Sequence, residues 1–429
     1  MRWPLGLVIG AVFAVGGFLI FDYLRPGAST LVQRDAPDPA EIRTARIREA
    51  RRRAEGVKGL YMTAAVAADR GRAATKLRND ILTLLDTTEL DGVVIDVKET
   101  EGGVMVSQEL RELVQDLRRR GVWTIARIAV FKDSAQAETH PAWYLKRKDN
   151  RFWRDNRGGL WLDPAEPKVL DYTIAVARQA MEVDFDELQF DYIRFPSDGD
   201  TRAIVYPTYD QKRPKPEVMR EFFGYLTGAL RQARPDIILS VDLFGYVAIQ
   251  RGDIGVGQRL EDIGENFDYV SLMVYPSHYY GGFEVPADPA RNLPALRYPY
   301  RSPSAAEVAA NHPYEVVYRS LLIARDILDG KGTTTDQIDE SSRLRSGLDG
   351  NGKIATSTAS STSPSPSTSP ARLRPWLQDF DLAVDSRRQI TYDAAKVRAQ
   401  IDAAETAGAS GWLLWSPDNL YTKEALRPK

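Results

Sequence analysis

Asp191 and Asp242 are the two residues of this chain best placed to do chemistry together. Asp191 closes the run DELQFD and Asp242 lies near the end of DIILSVDLF, both stretches with the composition and length of β-strands. Two carboxyls flanking a glycosidic bond can hydrolyse it, one donating a proton while the other attacks the anomeric carbon or activates water. On neighbouring strands about 4.8 Å apart, two short side chains can bracket one such bond. Asp191 is expected to be the nucleophile or base and Asp242 the proton donor. Asp96 is the alternative donor, or a contact for a sugar hydroxyl. A carboxyl separation of about 5–5.5 Å would imply retention of configuration, and about 6.5–9.5 Å inversion.

The run FDELQFDYIRFPSDG, residues 185 to 199, shows why position matters. Side chains on a strand alternate between faces, so Glu187, Gln189 and Asp191 share one face while Leu188 and Phe190 share the other. Three polar groups on an interior face each need a partner. The other strand candidates repeat the theme, gathering polar groups toward one end. Asp96 and Lys98 close the second strand, and Arg127 lies on the third. Ser240 and Asp242 share a face of the fifth, Tyr275 ends the sixth, Gln378 lies on the seventh, and Trp415 and Ser416 end the eighth. Asp96, Arg127, Gln189, Tyr275, Gln378 and Trp415 are expected to contact substrate. Arg194, His278 and Trp161 join them from the segments that follow strands, although a rim salt bridge would equally explain Arg194. Glu187 lies about 13 Å deeper along its strand and is expected to be a buried structural partner of Lys98 or Arg127.

These residues need a scaffold that brings strand ends together. Strand patterns occur at 57–62, 92–97, 122–130, 186–191, 236–244, 268–275, 374–380 and 411–416. Helix-period stretches occupy about 73–88, 107–120, 167–182, 215–233, 257–265, 313–329 and 392–407. Strands alternating with helices predict parallel βαβ units, and at this length a closed (β/α)8 TIM barrel, with an open doubly wound sheet as the alternative. In such a barrel the loops after strands form the catalytic face. Those after the third (131–166), fourth (196–214) and sixth (276–312) strands are long, and long loops in compact domains carry function. They hold Trp143, Tyr144, Phe152, Trp153, Trp161, Tyr279, Tyr280, Tyr298 and Tyr300. Flat aromatic faces among polar groups suit a sugar ring; stapling the loops to the barrel is the plainer reading.

The remaining features bound the function. The 429 residues carry 43% apolar content and a net charge of −2, a balance that offers nucleic acid no basic field. There is no cysteine, which excludes disulfides and thiolate chemistry, and the three histidines (His140, His278, His312) are scattered, so no metal or cofactor is expected. Residues 3–21 are free of charge and, as a helix of about 28 Å, would match a bilayer core. A membrane or signal anchor over 1–24 is expected, with cleavage and secretion as the alternative, followed by a polar stalk and helix over 25–56. The body, 57–421, would then be exported, with a short tail over 422–429. The arginines of the stalk read as a solvated helix face, with a contact to anionic lipid as the alternative. The Ser/Thr/Pro-rich insertion 332–371 cannot bury a core and follows a helix, which puts it on the barrel end away from the chemistry. LDGNGKI (348–354) lacks the glycine and the glutamate that a calcium loop needs.

FDELQFDYIRFPSDG together with GVVIDVKE (92–99), YPSHY (275–279), RPWLQDF (374–380) and GWLLWSPDNLY (411–421) resembles the bacterial putative glycosyl-hydrolase domain family over about residues 57–421. The resemblance implies a (β/α)8 barrel distantly similar to α-amylase-type glycosidases, in which a strand-four aspartate is the nucleophile; that role falls on Asp191. Enzymes of the α-amylase type place a glutamate donor after strand five, where this chain offers Asp242, and the low-complexity insertion departs from the family pattern. The expected activity is hydrolysis of an envelope or extracellular polysaccharide by a membrane-anchored domain. A barrel that binds carbohydrate without turnover is the alternative. A metal-dependent hydrolase would require a divalent ion on Asp96 and Asp191.

Overall fold

The computed structural model describes residues 38–250, 253–302, 304–331 and 370–429. The expected anchor, the first part of the stalk and nearly all of the insertion lie outside the described residues. Among the described residues, no helix is long and apolar enough to cross a membrane. The chain divides into two units, Met1–Ala45 and Arg46–Lys429. The described part of the first begins the helix Pro39–Ala54.

The second unit contains a closed barrel of eight parallel strands. Six follow in chain order: β1 (Lys58–Met62), β2 (Gly92–Lys98), β3 (Trp123–Ala129), β4 (Glu187–Asp191), β5 (Ile238–Phe244) and β6 (Tyr269–Met273). A hairpin, β7 (Phe283–Val285) and β8 (Leu296–Tyr298), lies in the long segment after β6 and had no signal in the alternation pattern. The seventh barrel position is shared by two short pieces, β9 (Arg372–Leu373) and β10 (Trp376–Gln378), both paired with β6. β11 (Trp412–Trp415) pairs with β10 and β1, and the β10–β6 pairing closes the ring. The eight strands and the long helices stand where periodicity places them. Closure settles the choice against an open sheet.

Alternation decides what faces where. Leu188, Phe190, Val241, Leu243 and Leu272 point outward into the core shared with the helices, whereas Tyr61, Val94, Trp123, Ile125, Ile238, Tyr269, Trp376 and Leu413 pack inside the barrel. Glu187, Gln189 and Asp191 therefore face inward. Two glycines make the lower interior possible: a Cβ on Gly92 would stand 2.5 Å from Val57 and one on Gly59 2.8 Å from Leu413.

The lowest interior layer holds a fully buried ion pair. Arg374 Nη1 donates to both oxygens of Glu187 at 2.9 and 2.8 Å, Trp123 Nε1 donates to Oε2 at 2.9 Å, and Arg374 Nη2 donates to the Ala54 carbonyl at 2.9 Å. Glu187 is thus structural, but its partners are Arg374 and Trp123 rather than Lys98 or Arg127. Lys98 instead pairs with Asp133 at 2.9 Å. A bulge between Asp96 and Lys98 shifts the β2 register and turns the two side chains apart. Arg53 departs from a solvated face: its guanidinium lies 5.3 Å from the Trp123 ring and 3.4 Å from Asp186.

Candidate active site

The C-terminal ends of β2, β3, β4 and β5 each deliver one charged side chain to the same interior level. Arg127 is central. Its Nη1 donates to Asp96 at 2.6 Å, its Nη2 donates to Asp191, and its Nε stands 3.8 Å from Asp242 Oδ2. Tyr61 of β1 donates its hydroxyl to the second oxygen of Asp96, and the Tyr192 backbone N–H donates to Asp191 Oδ1 at 2.6 Å. Trp376 of β10 donates its indole N–H to Asp242 Oδ1 at 2.8 Å. Asp242 Oδ2 and Arg127 Nε have no hydrogen-bond partner among the described residues.

The chain leaves β4 abruptly to build this arrangement. Tyr192, directly after Asp191, adopts a left-handed backbone with φ 49°, a conformation costly for an aromatic residue and concentrated at functional sites. Its ring meets Trp161 edge-on at 5.9 Å.

Three carboxyls around one guanidinium in a water-poor interior cannot all ionise freely. Burial, reinforced by the charge of Asp191, holds the Asp242 carboxyl well above the ordinary range, against the pull of Arg127 and the Trp376 N–H. Burial also raises Asp96, although Arg127 and Tyr61 oppose it. Arg127 itself would lose basicity on burial, but Asp96 and Asp191 hold it well above its usual value. Glu99, just beyond β2, is half-buried, accepts a long hydrogen bond from the Ala64 N–H at 3.3 Å, and is pushed up by burial and by Asp96. The mouth therefore combines a carboxyl that favours its proton with one held against a cation, the separation of roles that acid–base chemistry on a single bond requires.

Aromatic rings lie beside this cluster, with the Trp415 ring 5.1 Å from the Arg127 guanidinium. Trp415 stacks on Tyr61 at 4.1 Å, and Tyr275 meets His278 and Phe380 edge-on at 5.2 and 5.6 Å. His278 in turn stacks on Tyr280, which is 54% exposed. Burial lowers the His278 imidazole to about 4, so the ring is neutral at physiological pH.

The structure thus brings Asp96, Arg127, Asp191 and Asp242 together, with Tyr275, His278 and Trp415 at the rim. Four other expected contacts are committed elsewhere. Gln378 is buried, donating to Ser277 Oγ at 2.8 Å and to the Phe380 carbonyl at 2.9 Å while accepting from the Ser277 N–H at 3.2 Å; it fastens the seventh strand to the segment after β6. Gln189 lies a layer below the mouth and donates to Ser271 at 3.1 Å. Trp161 is buried and bonded to Asp155 at 2.9 Å, with Arg194 lying 5.0 Å from its ring. Arg194 bonds the Phe195 carbonyl and Ser197 at 3.0 and 3.2 Å, a loop contact that involves no carboxylate. Arg127 holds carboxylates rather than standing free for substrate. Trp153, Tyr144 and Tyr279 are buried staples of their loops. Tyr61 and Trp376 carry no strand-end polar signal in the sequence, yet both fall on the interior alternation. Among the described residues no group of three or more His, Asp or Glu is arranged to hold a metal ion.

A family profile described as "Putative glycosyl hydrolase domain" matches residues 59–337 and 351–421. No curated protein matches the chain. Among solved structures, the PgaB (BpsB) glycoside hydrolase domain from Bordetella bronchiseptica matches with a TM-score of 0.52 at 14% identity, over 85% of this chain and 95% of that one. At that identity the likeness is one of fold. The alpha-galactosidase TtGalA from Thermus thermophilus gives a TM-score of 0.46 at 13% identity, over 86% of this chain and 60% of its own. A hypothetical protein from Ruminiclostridium thermocellum ATCC 27405 is 28% identical over 43% of this chain and 96% of that chain, with a TM-score of 0.36.

Proposed function

We propose, from the premise that this chain belongs to the putative glycosyl hydrolase domain family, that it hydrolyses glycosidic bonds of an envelope or extracellular polysaccharide, with Asp191 as nucleophile or base and Asp242 as proton donor. The observation that carries the reading is the unequal treatment of two carboxyls at one mouth. Asp191 accepts a hydrogen bond from Arg127 Nη2, while Asp242 is buried, raised by burial and by Asp191, and presents an Oδ2 with no hydrogen-bond partner among the described residues. Trp415, Tyr275, Phe380 and His278 supply apolar faces for a sugar ring, and Asp96 shares Arg127 with Asp191 instead of acting as donor.

The test is digestion of a glycan panel by the wild type, Asp191→Asn and Asp242→Asn side by side. Cleavage by the wild type alone, with saccharide binding kept in both variants, is the expected result. Undiminished hydrolysis by Asp191→Asn would end the assignment. The burial of Asp191, only 7% exposed, favours a second reading, binding without turnover; that reading gains if the wild type binds glycans and cleaves none. The apolar run 3–21 supports an exported domain tethered to the bacterial membrane. Extraction of the full chain by salt wash alone, without detergent, would argue against the tether.

A further inference from the structure

We propose that Trp376 is a positioning residue for the proton donor, orienting the Asp242 carboxyl so that its transferable proton resides on Oδ2, the oxygen turned toward Arg127 and Asp191. The inference deepens the proposed function and rests on it. An indole N–H donates and never accepts. Because it donates to Oδ1 at 2.8 Å, Oδ1 acts as the carbonyl oxygen of a neutral carboxyl, and the hydroxyl falls to Oδ2. That oxygen is buried, has no partner among the described residues, and stands 3.8 Å from Arg127 Nε, on the side where Arg127 Nη2 holds Asp191. The indole is fixed in turn. Trp376 is 1% exposed and packs edge-on against Tyr61 and Trp415, with ring centroids 6.5 and 5.5 Å away.

The arrangement gives Trp376 a part in the chemistry without contact with substrate. As the bond from anomeric carbon to leaving oxygen breaks, its electron pair goes to that oxygen, which takes the proton from Oδ2. Asp191, or a water that it deprotonates, supplies the new pair to the carbon. The Asp242 carboxylate so formed places charge on Oδ1, where the indole N–H meets it. Charge-assisted hydrogen bonds are stronger than neutral ones, so the Trp376 contact favours the state after transfer. The other groups facing Asp242 are Asp191 and the deeper Glu187 on β4, Arg127 on β3, and Tyr275 beyond β6. Among them, burial and the two acidic neighbours favour the proton, whereas Arg127 and Trp376 favour its release.

Two measurements on the full chain test the assignment. With labelled aspartate carboxyl carbon and tryptophan indole nitrogen, the Trp376 N–H resonance of the wild type should shift with the same midpoint as the Asp242 carboxyl, whose signal Asp242→Asn identifies. Trp376→Phe keeps an aromatic ring but loses the donor; it should raise that midpoint by about one pH unit. The alkaline limb of kcat/KM should move upward with it, a change that loss of packing alone would not produce. An indole resonance that stays flat through the Asp242 titration would overturn the proposal without any variant. An unmoved Asp242 midpoint in folded Trp376→Phe would do the same. If the wild type cleaves no glycan, the donor role falls with the hydrolase reading, while the two titrations still report whether Trp376 governs the Asp242 proton.

Discussion

Arg127 and Asp191 are joined across a register offset. Backbone pairing sets Arg127 beside Gln189 and Asp191 beside Ala129. The guanidinium nevertheless reaches up to bond Asp191 through Nη2, while its Nη1 holds Asp96, its register partner on β2, at 2.6 Å. One long side chain thereby ties β2, β3 and β4 together at the mouth and leaves the middle layer to Gln189 and Ser271.

Replacing this cation should therefore damage the fold as well as the site. Arg127→Met leaves Asp96, Asp191 and Asp242 facing one another without a counter-charge. Breaking a buried pair in this way costs about 3–5 kcal/mol, read as a lowered urea midpoint with an unchanged slope. Arg127→Lys should recover only part of the loss, because a single ammonium cannot span two carboxylates as the planar fork does. Full recovery in Arg127→Lys would contradict the bridging role.

The ion pair at the opposite end of the barrel should behave differently. Glu187→Gln leaves Arg374 buried without its counter-ion and is expected to cost about 3–5 kcal/mol. The double variant Glu187→Met/Arg374→Leu, filled with hydrocarbon, should unfold near the wild-type midpoint. Because the double variant removes the Arg374 charge together with that of Glu187, the field at Asp242 changes little and kcat should stay close to the wild type. A large drop in kcat at unchanged stability would place Glu187 in the site after all.

His278 makes a prediction about acid. Its imidazole is lowered by burial to about 4, below the ordinary value of about 6.5. A depressed folded-state pKa means that the unfolded chain takes up the proton first, so the stabilisation is complete above about 6.5 and is lost as pH falls through about 4. The carbon-bound ring protons of His278 should titrate near the lower value in nuclear magnetic resonance spectra. His278→Phe should flatten the corresponding part of the stability profile between those limits. A midpoint near 6.5 in the wild type would show that the ring is not sheltered among Tyr275, Tyr280 and Phe380.

Much of this molecule is legible in residue order because its strands and helices obey local periodicities. A period of two marks each strand and the face of Glu187, Gln189 and Asp191; a period near 3.6 marks the helices; and polar residues at strand ends mark the mouth. Partnerships were not legible. Nothing local relates Glu187 to Arg374, which lies 187 positions away. Gln378 and Trp161 have the residue types of sugar contacts, yet a neighbouring loop takes up their hydrogen bonds, and the bulge after Asp96 sends Lys98 to Asp133 instead of the mouth.

Residue order by itself determined the alternation of elements and which side chains line the barrel, since both follow from backbone geometry repeated every few residues. Only the closed barrel decided that Trp376, from the seventh strand position, would meet Asp242, from the fifth, and that Arg127 would stand among three carboxyls. Those encounters depend on strand stagger and ring closure, which sum small displacements around the whole circuit and leave no trace in any single segment.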